Sequence, residues 1–218
     1  STPSNSSAAS DVYKRQPKAD MPNVKKLMED GSYTLKKRSA LPSSSAINWA
    51  SMFMGAGPEL HGYTEWGSKT PELPSRVLNK NGIFPTVFQL LRDARPEAEI
   101  GCLYEWEGIK YLVDTLSLNY HYHVADCNKT PKELGNMSSS YIKEKHPALV
   151  AICFDGPDHT GHTEGHDTPA YYEKLKELDS YVGQIVQAVK DAGMLDDTIF
   201  ILTSDHGAVS YTHLTLPT

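Results

Sequence analysis

The sequence predicts an α/β domain on a mostly parallel central sheet with helices on both faces. Ala148-Leu-Val-Ala-Ile-Cys-Phe154 and Thr198-Ile-Phe-Ile-Leu-Thr203 are short, almost continuously apolar and rich in β-branched residues, the pattern of strands covered on both faces. Between them Tyr172, Leu175, Leu178, Val182, Ile185 and Val189 recur at three- and four-residue steps, and Gly193 follows where a helix should stop. Strand, helix and strand make a βαβ crossover unit, which predicts that both runs are central parallel strands.

The remaining elements follow the same reasoning. Pro42-Ser-Ser-Ser-Ala-Ile-Asn-Trp-Ala-Ser-Met-Phe-Met-Gly55 opens on hydroxyl residues and continues as an apolar stretch closed by Gly55 and Gly57, so it reads as a loop entering a helix. Thr86 to Arg95 reads as a helix ending before Pro96, and Glu99 to Tyr104 as a strand. Gly108 to Leu116 and Pro131 to Lys145 read as two further helices.

Composition bounds the function classes. The chain has 218 residues, 39% hydrophobic and 22% charged, with a formal net charge of −6, so nothing advertises a nucleic-acid polymer or an anionic membrane as partner. No run approaches the roughly 20 apolar residues of a membrane span. Cys102, Cys127 and Cys153 are widely spaced without any CxxC pair, which argues against a disulfide framework and a zinc finger.

Both ends carry an unusual signature. Asp11-Val-Tyr-Lys-Arg-Gln16 can be encoded by GAT GTG TAT AAG AGA CAG, whose reverse complement in another frame gives Val-Ser-Tyr-Thr-His, the string at Val209 to His213. One DNA element in opposite orientations at the two ends resembles the transposon end of sequencing libraries. Residues 1–16 are therefore read as a non-native leader, expected to be disordered, and 208–218 as a non-native tail. That leaves 17–207 as a partial catalytic domain.

In open α/β sheets ligands bind beyond the carboxyl ends of the strands, and the chemistry-bearing residues fall there. Asp155-Gly-Pro-Asp-His-Thr-Gly-His162 follows the first apolar run directly, and Ser204-Asp-His-Gly207 follows the second. The two loops concentrate Asp158, His159, His162, His166, Asp205 and His206. Carboxylate with imidazole suits zinc and similar divalent ions. Any one of these residues alone would be an ordinary turn residue; their joint placement is what points to a metal site. Ser43, Ser44 and Ser45 sit where a helix begins, in positive potential that favours both a phosphate and an ionised hydroxyl.

These motifs, in this order, resemble the alkaline phosphatase superfamily, and within it the nucleotide pyrophosphatase/phosphodiesterase branch. The resemblance runs from Met21-Pro-Asn-Val-Lys-Lys-Leu-Met-Glu-Asp-Gly31, similar to an early family helix, through the Ser loop and Gly57-Pro-Glu-Leu-His-Gly62 to the two Asp/His loops. It implies that Ser45 is the nucleophile, with Ser44 the alternative, and that Asn48, three positions on, contacts the phosphoryl oxygens. It implies that Asp158 and His162 are ligands of one divalent ion and Asp205 and His206 of another, both most simply zinc. An upstream Asp and a downstream His of the family have no counterpart, so the chain alone is expected to bind metal weakly and to be nearly inactive. The expected reaction is hydrolysis of a small-molecule phosphodiester or nucleotide pyrophosphate through a phosphoserine intermediate. An Asn in place of a bidentate Arg suits the single charge of a diester. An extracytoplasmic location is implied by the resemblance only. The alternatives are a sulfatase, whose Cys/Ser-Pro-Arg nucleophile pattern is missing at Ser45-Ala-Ile-Asn-Trp, a phosphomonoesterase or phosphomutase of the same superfamily, and a non-catalytic metal-binding domain.

Overall fold

The computed structural model describes residues 19–125 and 131–207. The leader and tail inferred above, and Cys127, lie outside the described residues.

Three parallel strands, β1 (Ile100–Tyr104), β2 (Tyr120–His123) and β3 (Leu149–Cys153), form a sheet in the order β2-β1-β3. Residues Ile100 to Tyr104 pair in register with Leu149 to Cys153. Because side chains alternate along a strand, Ile100, Cys102 and Tyr104 enter one apolar cluster, and Leu103 enters another on the opposite face. Helices cover both sides. On the first face lie α2 (Ser45–Met54), the short α3 (Pro58–His61) and α4 (Val87–Ala94), which contribute Ala46, Ala50, Phe53 and Phe88 to the cluster. On the second lie α5 (Pro131–Lys145) and α7 (Pro169–Asp191), which pack on each other and, through Leu134, Tyr141 and Ile142, on the sheet.

Local signals explain most boundaries. The Thr86 hydroxyl accepts from the Gln89 amide and caps α4, and Thr168 does the same for α7 through Tyr171. Gly55 ends α2 at φ 61°, a left-handed conformation that glycine adopts without strain. Helix α1 (Pro22–Asp30) has no cap of its own. Its first amides are taken by Asp179 of α7, whose carboxylate accepts from Asn23 N, Asn23 Nδ2 and Val24 N at 2.8–3.1 Å. The buried thiols of Cys102 and Cys153 are free and lie against each other across β1 and β3.

Four expectations are corrected. Thr198 to Thr203 is not a strand: it runs alongside the molecule unpaired, with Ile199 87% and Ile201 83% exposed. A strand needs a neighbour to satisfy its backbone groups, and among the described residues the far edge of β3 meets none; Phe200 packs inward, against the cluster of Ile142, Ala188 and Val189. For the same reason β3 is an edge strand of the described sheet rather than a central one. Gly108 to Leu116 forms no α-helix but two 3-10 turns, Glu107–Tyr111 and Thr115–Ser117. The break falls at Asp114, a buried carboxylate held by the amides of Asn79 and Asn81 at 2.7–3.0 Å. Finally, the segment after β3 is helical, α6 (Gly156–Glu164). β2 was not anticipated: Tyr120-His-Tyr-His123 lacks the apolar run by which the other strands announce themselves.

Candidate active site

Ser45 is the first residue of α2, so its hydroxyl stands at the helix mouth, on the edge where β1 and β3 end. Its Oγ lies 3.0 Å from His206 Nε2. The neighbouring Ser44 Oγ is buried without a hydrogen-bond partner. His206 Nε2 also lies 3.2 Å from Asp205 Oδ2. Ser45 Oγ and Asp205 Oδ2 thus both lie within hydrogen-bond reach of the same imidazole nitrogen.

That geometry separates two chemistries. In a Ser-His-Asp triad the acid bonds to the imidazole nitrogen opposite the one facing the serine. Here Ser45 and Asp205 both address Nε2, while Nδ1 faces the Gly207 carbonyl at 3.2 Å. A hydroxyl, an imidazole nitrogen and a carboxylate brought side by side are donors of the kind a divalent cation takes.

The second pair is built differently. Asp158 and His162 stand four residues apart on α6, which puts them on one helical face, and Asp158 Oδ2 is 3.4 Å from His162 Nε2. Their side chains are 36% and 59% exposed, against 18% and 13% for Asp205 and His206. Gly161 lets the helix close on His166, because a Cβ there would meet that ring at 2.0 Å. The His166 ring in turn lies edge-on to His162 and to Tyr171 of α7. His159 lies half-buried on the same helix.

Electrostatics ties the pairs together. Burial pushes the Asp205 carboxyl up, His206 and local backbone bonds pull it down, and the nearby Asp158 charge pushes it up again. Asp158, Asp205 and His206 line one end of a cavity of about 800 Å³, whose other walls are mostly apolar side chains of β3, α7 and α1. As a fit test for zinc, the donors are of the right kind, two per pair with Ser45 as a third at His206. Among the described residues no group of three His, Cys, Asp or Glu side chains converges.

Asn48 is tied into the loop that leads to Ser45. It is buried on α2, its Oδ1 accepts from Ala40 N at 2.7 Å, and its Nδ2 donates to the carbonyls of Ser44 and Ala40. Both amide hydrogens are committed to shaping the loop that leads into Ser45. The Ala46 amide is likewise taken by the Trp66 carbonyl, which removes one helix-mouth donor from the site.

Two residues of the site were missed. Lys37 donates through Nζ to the Ser204 carbonyl, and burial lowers its ammonium pKa while Asp205 raises it; nothing in its sequence context signals this. Glu105, at the end of β1, is 5% exposed and accepts from the Asp155 amide at 2.6 Å. The rule that singled out residues just beyond a strand would have found it.

Comparison with known proteins places this arrangement. The family described as type I phosphodiesterase / nucleotide pyrophosphatase matches residues 6–215. The chain belongs to that family. Among type I phosphodiesterase relatives, bis(5'-adenosyl)-triphosphatase enpp4 of Mus musculus is 25% identical over 200 residues, covering 86% of this chain and 43% of the relative. Ectonucleotide pyrophosphatase/phosphodiesterase family member 1 of the same organism is 24% identical over 195 residues, 86% of this chain and 21% of the relative. The chain thus spans less than half the length of these relatives. In fold it is similar to an inactive variant of murine ectonucleotide pyrophosphatase/phosphodiesterase 5 in complex with AMP, with a TM-score of 0.64 and 16% identity over 88% of this chain and 52% of that one. Phosphonoacetate hydrolase from Sinorhizobium meliloti 1021 follows at 0.53 and 16%, over 84% of this chain and 52% of that one. The shared α/β architecture is that of the alkaline phosphatase superfamily's phosphodiesterase branch.

Proposed function

We propose that this chain carries the nucleophile and part of the metal site of a hydrolase acting on small-molecule phosphodiesters or nucleotide pyrophosphates. The observation that carries the reading is the convergence of Ser45 Oγ, His206 Nε2 and Asp205 Oδ2 within 3.0–3.2 Å contacts. Family membership supports the reaction class. Asp205 and His206, with Ser45, would hold one divalent ion, and Asp158 and His162 a second; zinc suits these donors. Ions held there supply Lewis acidity for the phosphoryl oxygens and lower the pKa of a bound hydroxyl.

The chain's own groups do the rest. Ser45 attacks phosphorus in line, forming the Oγ–P bond as the P–O bond to the leaving alkoxide or phosphate breaks and the hydroxyl proton passes to that leaving group; water then cleaves the Oγ–P bond, its oxygen staying with the phosphoryl product and a proton returning to Ser45. Asn48 orients Ser45 through the Ser44 and Ala40 carbonyls. Lys37 anchors the Ser204 carbonyl next to Asp205. A small-molecule substrate fits the relatives' names, one acting on bis(5'-adenosyl)-triphosphate and another on nucleotides. An extracytoplasmic location accords with the "ecto" of the second name, and among the described residues no helix is long and apolar enough to cross a membrane.

A chromogenic phosphodiester assay with and without added zinc, on a protein that carries this chain together with the family's upstream Asp and downstream His, tests the reading. Zinc-dependent release that disappears in Ser45→Ala is expected. Zinc-independent hydrolysis, or hydrolysis unchanged in Ser45→Ala, overturns it.

A further inference from the structure

We infer that Glu105 is a positioning residue for the helix that carries Asp158 and His162, an inference that rests on the metal-site reading above. Helix α6 begins at Gly156 and Pro157, and its N-cap residue Asp155 makes no side-chain cap. The first amides of a helix need acceptors, and here the acceptor comes from 50 residues upstream. Glu105 Oε2 accepts from Asp155 N at 2.6 Å, one residue before the helix begins at Gly156. Asp158 lies two residues further along the same turn, so the Glu105 contact sets where that side chain stands relative to the sheet.

Glu105 is itself held on every side. Its amide donates to the Cys153 carbonyl at 3.1 Å, which ties β1 to β3, and its carbonyl lies 2.8 Å from His123 Nε2 at the end of β2. One residue therefore joins all three strand ends to α6. The molecule also contains an ordinary tertiary cap for comparison: Asp179 on α1 uses both carboxylate oxygens. Glu105 leaves Oε1 buried without a hydrogen-bond partner, an arrangement that costs stability. A residue serving stability alone would gain from a smaller polar cap, whereas one that must hold a helix mouth at a fixed distance has reason to reach. The carboxylate is too deep to touch substrate, so it acts through Asp155.

The test is zinc titration by calorimetry, and cobalt(II) absorption as a report of coordination geometry, on the 218-residue chain and its variants, with kcat and KM for a chromogenic diester wherever turnover is measurable. Glu105→Ala is expected to lower affinity by about 10–100-fold, as for groups that orient metal ligands, to alter the cobalt spectrum, and to reduce kcat more than KM. Glu105→Gln keeps an acceptor for Asp155 N and should recover most of the affinity. Unchanged affinity and spectrum in folded Glu105→Ala overturn the inference. Should that variant fail to fold, Glu105→Asp decides: it keeps the charge but withdraws it from the amide, and wild-type affinity there overturns the inference equally. His162→Ala separates this from failure of the metal-site reading. If it leaves zinc binding unchanged, the reading fails; if it weakens zinc binding while Glu105→Ala does not, only the role of Glu105 falls.

Discussion

The two Asp/His pairs have the same chemistry and opposite supports. Asp158 and His162 ride on a regular helix that follows a paired strand, yet they are the more exposed pair. Asp205 and His206 follow an unpaired segment, yet they are the more enclosed. Sheet pairing and a tertiary cap position the first pair through the backbone. The second is positioned through side chains, by Ser45 on one flank and Lys37 on the other. The first pair should therefore respond to changes in the scaffold, and the second to changes in its immediate neighbours.

The largest expected effect tests the neighbour-held pair. In a protein that carries this chain together with the family's upstream Asp and downstream His, Ser45→Ala should reduce diester turnover by roughly a thousand-fold or more, the scale seen when a covalent nucleophile is removed, with circular dichroism unchanged because the hydroxyl is asked for reactivity rather than packing. If turnover survived there and disappeared in Ser44→Ala, the nucleophile would shift by one residue.

Next in size is Asp205→Asn against Asp158→Asn. Calorimetry should find the greater loss of zinc affinity for Asp205, since its carboxylate is buried beside His206 while Asp158 can be replaced in part by water. Equal losses would erase the distinction between the pairs.

A scaffold change comes third. Gly161→Ala forces a Cβ to within 2.0 Å of the His166 ring, and overpacking of this kind costs about 1–3 kcal/mol. Chemical denaturation should register it, and zinc affinity at the α6 pair should fall with it.

The fourth prediction is a pH slope. Burial pushes the Glu105 carboxyl up to about 7; the Asp155 and Gly156 amides pull it down, the Asp155 charge pushes it up and Lys174 pulls it down. Cys153 and Tyr181 also face it. Between its unfolded value near 4.5 and about 7 the folded state binds more protons than the unfolded state. Stability should therefore fall as pH rises through that window, by at most about 1.4 kcal/mol per unit. Glu105→Gln should flatten the slope, as read from midpoints of denaturation between pH 4.5 and 7.

The smallest effect belongs to the segment that leads into the second pair. Ile199→Lys and Ile201→Lys change side chains that are 87% and 83% exposed, so each should alter stability by no more than about 0.5 kcal/mol. A loss above 1 kcal/mol would mean that this segment is paired in solution and that the two ligand pairs share one kind of support.

What could be read from the sequence was what local chemistry dictates. The helix after Thr168, the helix start at Thr86, the Gly55 stop and the strands at 100–104 and 149–153 each follow from residues within a turn of themselves. What could not be read depended on distant partners. Thr198 to Thr203 has the composition of a buried strand, but pairing is decided by a neighbour that composition does not name. Gly108 to Leu116 has helical content, but Asn79 and Asn81 capture Asp114 and break the run. At the site, Ser45, Asp205 and His206 were found by motif and meet in space, and Asp158 and His162 were found and pair on one helix. Asn48 was read for a phosphoryl contact, and its hydrogen bonds to Ala40 and Ser44 are visible only once the loop is folded.

The paired thiols at the centre of the sheet have a practical consequence. Cys102 and Cys153 sit on neighbouring strands, 0% and 4% exposed, and the contact with Cys102, together with burial, pushes the Cys153 thiol well up from its usual range. A protonated, inaccessible thiol does not alkylate. Each becomes reactive only when β1 and β3 part, so the labelling rate of the two peptides, followed by mass spectrometry, is a clock for opening of the sheet. If zinc clamps the strand ends it should slow both labels together, and a ligand that touched only the rim would leave the clock running at its own pace.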